Sequence, residues 1–145
     1  MNAPANPDFA IRVLASFGRQ KAMRLIGATI STIEAGCCEI ELPFREDLTQ
    51  QKGFVHGGIV GMIADTACGY AAYSLMPATS SLVTVEYKIN ILAPAKAGLL
   101  KARGTVIKAG RTLTIAKSEV FAGETLVAVM QQTLMELADT PDTVE

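Results

Sequence analysis

The chain has 145 residues, half of them hydrophobic, and its 13 basic and 14 acidic side chains leave a formal net charge of −1. This length and apolar content predict one folded domain over residues 1–145 with a sizeable core, and they exclude intrinsic disorder. The near-zero charge offers no field that would attract a polyanion, so we expect no nucleic-acid partner.

The cysteines and the N-terminal residues indicate the cellular compartment in which we expect the protein. The three cysteines include an adjacent pair, Cys37 and Cys38, and their spacing matches neither a disulfide framework nor a zinc site. The opening MNAPANPDF lacks the basic stretch and the apolar run that a signal peptide requires. We therefore expect a cytoplasmic protein that binds no metal.

A short helix is predicted within residues 1–20. Asn6, Pro7 and Asp8 form a helix-start signal, because proline is favoured at the first helical position. Apolar residues then recur at helical spacing as far as Phe17, and Gly18 is expected to end the helix.

The remaining segments predict strands around one long helix. Two β-rich runs, LIGATISTI and CCEIELPF, flank a hairpin turn at residues 34–36, and a polar loop fills residues 45–55. After the helix, SLVTVEYKINILAP alternates with period 2, which is the pattern of a half-buried strand. Three further strand-like runs follow, LLKARGTVIKA, TLTIAKSEVF and TLVAVMQQTLMEL. The polar tail at residues 139–145 is expected to fray.

These elements define a fold class. Consecutive hairpins favour an antiparallel sheet, and a helix that is apolar on all sides must be buried on several faces at once. We therefore predict an α+β protein in which a curved antiparallel sheet wraps around one long central helix.

The predicted central helix, residues 57–76, contains a single carboxylate, Asp65. The segment is long enough to cross a bilayer, but a central Asp is costly to insert and the rest of the chain alternates like a sheet, so we expect no membrane association. At 100° per residue, the Asp65 side of the helix carries only small residues, namely Gly58, Gly61, Cys68, Gly69 and Ala72. This stripe predicts a groove in which an extended ligand approaches Asp65.

The start of this helix supplies a second chemical feature. His56, the only histidine, precedes Gly57 and Gly58, whose backbone N–H groups lie at the positive end of the helix dipole. Such groups can stabilise an oxyanion. Asp65 could act on water as a general base, or attack directly as a nucleophile to form a mixed anhydride. The combination indicates acyl transfer or hydrolysis.

The spacing of these groups constrains the assembly. Gly57 and Asp65 are eight residues apart in the sequence, which is about 12 Å along a helix axis. One carbonyl group cannot contact both positions. We therefore predict an obligate dimer with the site at its interface and the two helices antiparallel.

Three stretches together resemble a known family: GFVHGGIVGMIADTACGYAA, VTVEYKINILAPAKAG and AGRTLTIAKSEVF. Over residues 23–137 the chain resembles the PaaI-like hotdog-fold acyl-CoA thioesterases. The resemblance implies a five- to six-stranded antiparallel sheet around a central helix and edge-to-edge homodimers that often pair into homotetramers. It also implies hydrolysis of acyl-CoA thioesters without a metal or bound cofactor.

The resemblance also assigns site residues by position. Asp65 falls on the family's catalytic acid, and Gly57 falls on the oxyanion position with His56 before it. Thr84 stands where relatives carry a Ser or Thr that helps to orient water. Gln50 stands where some relatives carry an Asn that aids the thioester carbonyl, and it could donate the same hydrogen bond through one more methylene.

Three further residues have expected roles. The His56 ring is expected to hydrogen-bond within its loop and fix the helix start. Cys68, one turn from Asp65, is expected to line the groove or the core rather than to act as a nucleophile. Arg111, with Lys108 and Arg103 nearby, is a candidate contact for the CoA phosphates.

Two other functions remain open from the sequence. A hotdog hydratase or dehydratase needs a histidine working with a carboxylate, for which His56 is the only candidate. A non-catalytic acyl-CoA-binding module would keep the groove but not the chemistry. The Asp65→Asn substitution separates a hydrolase, which loses turnover, from a binding module, which does not depend on the carboxylate.

Overall fold

The computed structural model describes residues 3–143, which form three α-helices, one short 3₁₀ helix and six strands. Their bounds in chain order are α1 Phe9–Arg19, α2 Lys21–Ile26, β1 Thr29–Glu34, β2 Cys37–Pro43, the 3₁₀ helix Glu46–Leu48, α3 Gly57–Tyr73, β3 Ser81–Ile91, β4 Leu99–Ala109, β5 Leu113–Ala122 and β6 Thr125–Leu137.

The strands form one antiparallel sheet in the order β1-β2-β4-β5-β6-β3. The hairpins β1–β2, β4–β5 and β5–β6 are local, whereas β3 crosses over to pair with β6. This crossover leaves β3 as one free edge of the sheet and β1 as the other. The α+β hotdog fold and the six-stranded antiparallel sheet predicted above are confirmed.

Helix α3 is buried by the sheet that surrounds it. Ile63, Ala67 and Cys68 are fully buried on its inner sides. A Cβ atom added at Gly104 of β4 would overlap the backbone of Ala67, so only glycine permits this close approach of strand and helix. The burial of nearly all of its surface explains why the α3 sequence is apolar on almost every side.

The structure corrects the start of the first predicted strand. Leu25 and Ile26 belong to α2, and β1 begins only at Thr29. Gly27 adopts a left-handed conformation (φ +79°) that ends α2, and Met23 and Ile26 are buried three residues apart on one helical face. The run LIGATISTI therefore contains a helix end, a turn and a strand.

The segment after β6 returns to α1. Asp142 pairs with Arg19 at 2.9 Å and also accepts a hydrogen bond from Ser16. The expected frayed tail over residues 139–145 is thus anchored at Asp142, and residues 144 and 145 lie outside the described residues. None of the helices in residues 3–143 combines the length and apolarity needed to cross a membrane.

Candidate active site

Asp65 lies in a triangle of hydrogen bonds with side chains from two strands. The Thr84 hydroxyl of β3 donates to Asp65 Oδ1 at 2.8 Å. Gln132 Nε2 of β6 donates both to the same Oδ1 and, at 2.8 Å, to Thr84 Oγ1. Within residues 3–143, no side chain or backbone group donates to Asp65 Oδ2. One carboxylate oxygen is therefore held and the other is left for a ligand or water.

A β-bulge brings Thr84 to Asp65. The pairing of β3 with β6 shifts register between Thr84 and Glu86, so Val85 has no partner in the ladder. Before the bulge Thr84 faces α3, and after it Tyr87 and Ile89 face α3 near Gly61. Strict alternation would have placed Thr84 on the opposite face from these residues. The extra residue therefore sets the orientation of Thr84.

Gln132 is the residue of this cluster that sequence reasoning missed. It is 1% exposed and occupies an inward position of β6, between the buried residues Met130 and Leu134. A polar residue at an inward position of an apolar strand was visible in the sequence as a break in the pattern. The sequence did not show which residues Gln132 contacts, because Asp65 and Thr84 lie 67 and 48 residues away in the chain.

A cavity of about 300 Å³ opens beside this cluster. Asp65, Thr84 and Gly69 form one wall, and Tyr70 forms another. Ser16, Arg19 and Asp142 close the cavity at its α1 side. Burial raises the pKa of Tyr70 to about 12, so its phenol stays protonated near neutral pH. The cavity therefore offers apolar ring surface with hydroxyl groups at one side.

A second cavity, of about 320 Å³, lies at the start of α3. Gln50, Phe54, Gly57 and Ile91 are among the residues that line it. The N–H of Gly57 has no acceptor within residues 3–143. The Gln50 Oε1 accepts from the backbone N–H of Lys52, which leaves the Gln50 Nε2 donors free to face a ligand. The cavity is therefore lined by two residues, Gly57 and Gln50, that carry hydrogen-bond donors.

His56 and Gly58 take a structural role at the same helix start. His56 is the N-cap residue of α3, and its Nδ1 accepts a hydrogen bond from the Gly58 N–H at 2.8 Å. The prediction that Gly58 contributes a free oxyanion donor is therefore wrong, because the His56 ring already occupies that N–H. The expected role of His56 in fixing the helix start agrees with this geometry.

Like Gly58, three further predicted substrate contacts line neither cavity. Cys68 is fully buried against the sheet, and burial followed by the Asp65 carboxylate raises the pKa of its thiol well above the ordinary value. Gly61 is covered by Tyr87 and Ile89. Arg111 lies on the exposed turn between β4 and β5. The small-residue stripe is therefore only partly a groove, since Gly69 alone of its members lines the Asp65 cavity.

The two cavities are separate within one chain. They share no lining residue, and the groups that define them, Asp65 and Gly57, lie about 12 Å apart along α3. Each chain therefore presents two separate cavities, one beside Asp65 and one at Gly57. Within residues 3–143, no three His, Cys, Asp or Glu side chains lie close enough together to hold a metal ion.

A central helix carrying one carboxylate inside a wrapped antiparallel sheet defines a hotdog-fold protein. The sequence model of the thioesterase superfamily matches residues 52–129, which is more than half of the chain, and the protein therefore belongs to this superfamily. A thioesterase family protein from Silicibacter pomeroyi is 45% identical, with a TM-score of 0.88 over 90% of this chain and 98% of that chain.

Two other relatives extend the comparison. The Escherichia coli PaaI protein from the phenylacetic acid degradation operon has a TM-score of 0.86 over 94% of this chain and 98% of its own. Its identity is 20%, so it shows the likeness of fold. The 1,4-dihydroxy-2-naphthoyl-CoA hydrolase of Listeria monocytogenes is 28% identical over 90 residues, which are 62% of this chain and 73% of that protein.

Proposed function

We propose that the protein hydrolyses acyl-CoA thioesters to the free acid and CoA, in a site formed by two copies of the chain. Asp65 of one protomer acts on water, and the Gly57 N–H of the other protomer stabilises the developing oxyanion. The observation that carries this proposal is the division of the chemical groups between two cavities in one chain. Membership of the thioesterase superfamily supports the hydrolase class.

The exposed edge of the sheet supports a dimer. Among the described residues, no strand pairs with the outer side of β3. Four of its apolar residues are between 42% and 55% exposed, namely Val83, Val85, Tyr87 and Ile91. The predicted half-buried strand is therefore uncovered in a single chain. An edge strand with this much apolar surface invites pairing with another strand, and a second copy in a two-fold arrangement satisfies both copies at once.

The register of β3 against α3 suggests how the Asp65 cavity of one chain meets the Gly57 cavity of the other. Thr84 lies beside Asp65, and Ile91 would contact a Cβ on Gly57 at 3.9 Å. If two β3 strands pair antiparallel about an axis near Tyr87 and Lys88, Thr84 lies opposite the partner's Ile91. Asp65 then faces the partner's Gly57, and the thioester carbon can lie between them.

The chemistry follows from these positions. Asp65 Oδ2 takes a proton from water as the water oxygen bonds to the thioester carbon. The negative charge on the carbonyl oxygen is stabilised by the N–H of Gly57 and by Gln50 Nε2. The C–S bond then breaks, and the CoA thiolate leaves readily because a thiol has a pKa near 8.5. Direct attack by Asp65 through a mixed anhydride remains the alternative within the same site.

The hydratase alternative would have to use Nε2 of the His56 ring. His56 Nδ1 accepts the hydrogen bond from the Gly58 N–H, so this ring nitrogen is not available to move a proton on carbon.

The catalytic unit we propose is the homodimer. We propose further that dimers pair into a homotetramer, because Ile107 and Leu113 on the sheet remain 55% and 47% exposed. Analytical ultracentrifugation measures both states.

The test of function is thiol release from a panel of acyl-CoA esters, running from acetyl-CoA to palmitoyl-CoA and including benzoyl-CoA. We expect turnover of at least one ester and a loss on the order of a hundredfold or more in kcat for Asp65→Asn. The variant should still bind the same ester with similar affinity. An Asp65→Asn protein with unchanged thiol release would contradict the proposal, and binding without turnover in the parent protein would favour the binding module.

A further inference from the structure

We propose that Gln132 is a positioning residue for the hydrolytic water: it fixes the Asp65 carboxylate and the Thr84 hydroxyl so that both accept from the same water molecule. The inference rests on the proposed function, since it assigns a role within that site. It concerns a residue on β6 that does not line the cavity at the start of α3.

The orientation of the Gln132 amide follows from its partners. A carboxylate can only accept hydrogen bonds, so the Gln132 nitrogen and not its oxygen must face Asp65 Oδ1. The same nitrogen donates to Thr84 Oγ1 at 2.8 Å. With both bonds made, Gln132 Oε1 is buried and has no partner within residues 3–143.

The unpaired oxygen argues against a purely structural role. Gln132 is 1% exposed, and a methionine of similar length would fill the same space without a buried polar atom. The position therefore tolerates an unfavourable group. The benefit that offsets it is the pair of N–H bonds to Asp65 and Thr84.

These bonds decide where the protons point. Thr84 Oγ1 accepts from Gln132, so its own proton is directed to Asp65 Oδ1 at 2.8 Å. The remaining lone pair of Thr84 and the unoccupied Asp65 Oδ2 are then both acceptors. A water between them donates both of its hydrogens to the enzyme, which turns its oxygen lone pairs towards the thioester carbon. Without Gln132 the Thr84 hydroxyl can rotate and donate to the water instead.

Several charged and titratable groups lie near Asp65, but within residues 3–143 no charged side chain donates a hydrogen bond to it. Cys68 faces the same region from α3, and Tyr70 and Tyr73 face the cavity from the next turns. From α1 and the final segment come Arg19 and Asp142, which pair with each other at 2.9 Å. Within residues 3–143, Asp65 makes no salt bridge. The hydrogen bonds to Asp65 therefore come from two neutral groups, the Thr84 hydroxyl and the Gln132 amide.

The test compares Gln132→Met with the matched control Gln131→Met, whose parent side chain is exposed on the same strand. Using the acyl-CoA ester of the panel that the parent turns over fastest, we expect Gln132→Met to lower kcat on the order of tenfold or more, with KM within about twofold. Gln131→Met should match the parent in both quantities.

A second variant covers the case in which Gln132→Met does not fold. In Gln132→Glu, a protonated carboxyl can donate to Asp65 as the amide does, so activity should survive at acidic pH and fall as the pair loses its shared proton. Gln132 variants with parental kcat would overturn the proposal, while an inactive Asp65→Asn would leave the proposed function intact. An active Asp65→Asn would instead overturn the proposed function and this inference with it.

Discussion

The Thr84 hydroxyl lies 2.8 Å from Asp65 Oδ1, although the two residues are 19 positions apart and belong to a strand and a helix. The contact exists because one extra residue, Val85, shifts the register of β3 just after Thr84. A local irregularity of an edge strand therefore provides one of the two hydrogen bonds to the only carboxylate in α3.

Replacement of Thr84 tests the value of this contact. Thr84→Val keeps the shape of the side chain but removes the hydroxyl, so kcat should fall on the order of tenfold to a hundredfold. Thr84→Ser keeps the hydroxyl and should stay within a few-fold of the parent. Equal kcat values for the Val and Ser variants, in the thiol-release assay, would show that the hydroxyl has no part in turnover.

A matched pair of glycine substitutions tests the packing of α3 against the sheet. Gly104→Ala inserts a Cβ into the Ala67 backbone and should cost about 3 kcal/mol or more of unfolding free energy, or prevent folding. Gly18→Ala in α1 meets no atom within 4 Å and should stabilise by about 0.5–1 kcal/mol. Urea unfolding of both proteins measures the difference, and a Gly104→Ala protein as stable as the parent would contradict the close approach.

The free edge of β3 predicts a specific effect on assembly. Val85→Lys places a charge on the half-exposed edge, where both copies would contribute it to the same interface. We expect the dimer to dissociate and thiol release to be lost, while the circular dichroism spectrum is unchanged. Leu25→Lys on α2, at a residue 76% exposed, is the control and should remain dimeric and active. An active Val85→Lys monomer would argue against the shared site.

Buried acids predict loss of stability at alkaline pH. Burial raises the pKa of Cys38 from its ordinary 9.0 to about 12, so above pH 9 the folded protein keeps a proton that the unfolded chain releases. The associated stability is complete below pH 9 and is lost as the pH rises towards 12, by up to about 1.4 kcal/mol per pH unit for one group. Thermal unfolding between pH 8 and 11 should therefore show a falling Tm. The slope should be shallower in Cys38→Ala, and an unchanged slope would contradict this assignment.

Sequence reasoning succeeded where the pattern is long and regular. The strand-like runs predicted for β4 and β6 have the observed bounds, and the start of α3 follows from His56 and the glycines after it. These elements are specified by local periodicity and turn residues, which a single sequence displays directly.

The failures come from side-chain contacts that the sequence pattern does not display, most of them with residues distant in the chain. The short helix α2 is stabilised by burial of Met23 and Ile26 rather than by a long periodic pattern. Gly58 lost its predicted role because the neighbouring His56 ring turned back to its N–H. The bulge at Val85 and the role of Gln132 depend on β6 pairing with β3, which no local pattern reports.

The most direct test of the shared active site mixes two inactive variants. Gly57 is the first residue of α3, a position that accepts proline, so Gly57→Pro removes the donor N–H while the helix can still form. Gly57→Ala keeps the N–H and should retain activity. Asp65→Asn and Gly57→Pro should each be inactive alone as homodimers.

Unfolding the two inactive variants together at equal concentration and refolding them produces heterodimers. If Asp65 of one protomer works with Gly57 of the other, each heterodimer contains one intact site, and the mixture should regain about a quarter of the parent thiol-release activity. If both groups belonged to one protomer, every site in the mixture would carry a defect. A refolded mixture that stays as inactive as the separate variants would contradict the account.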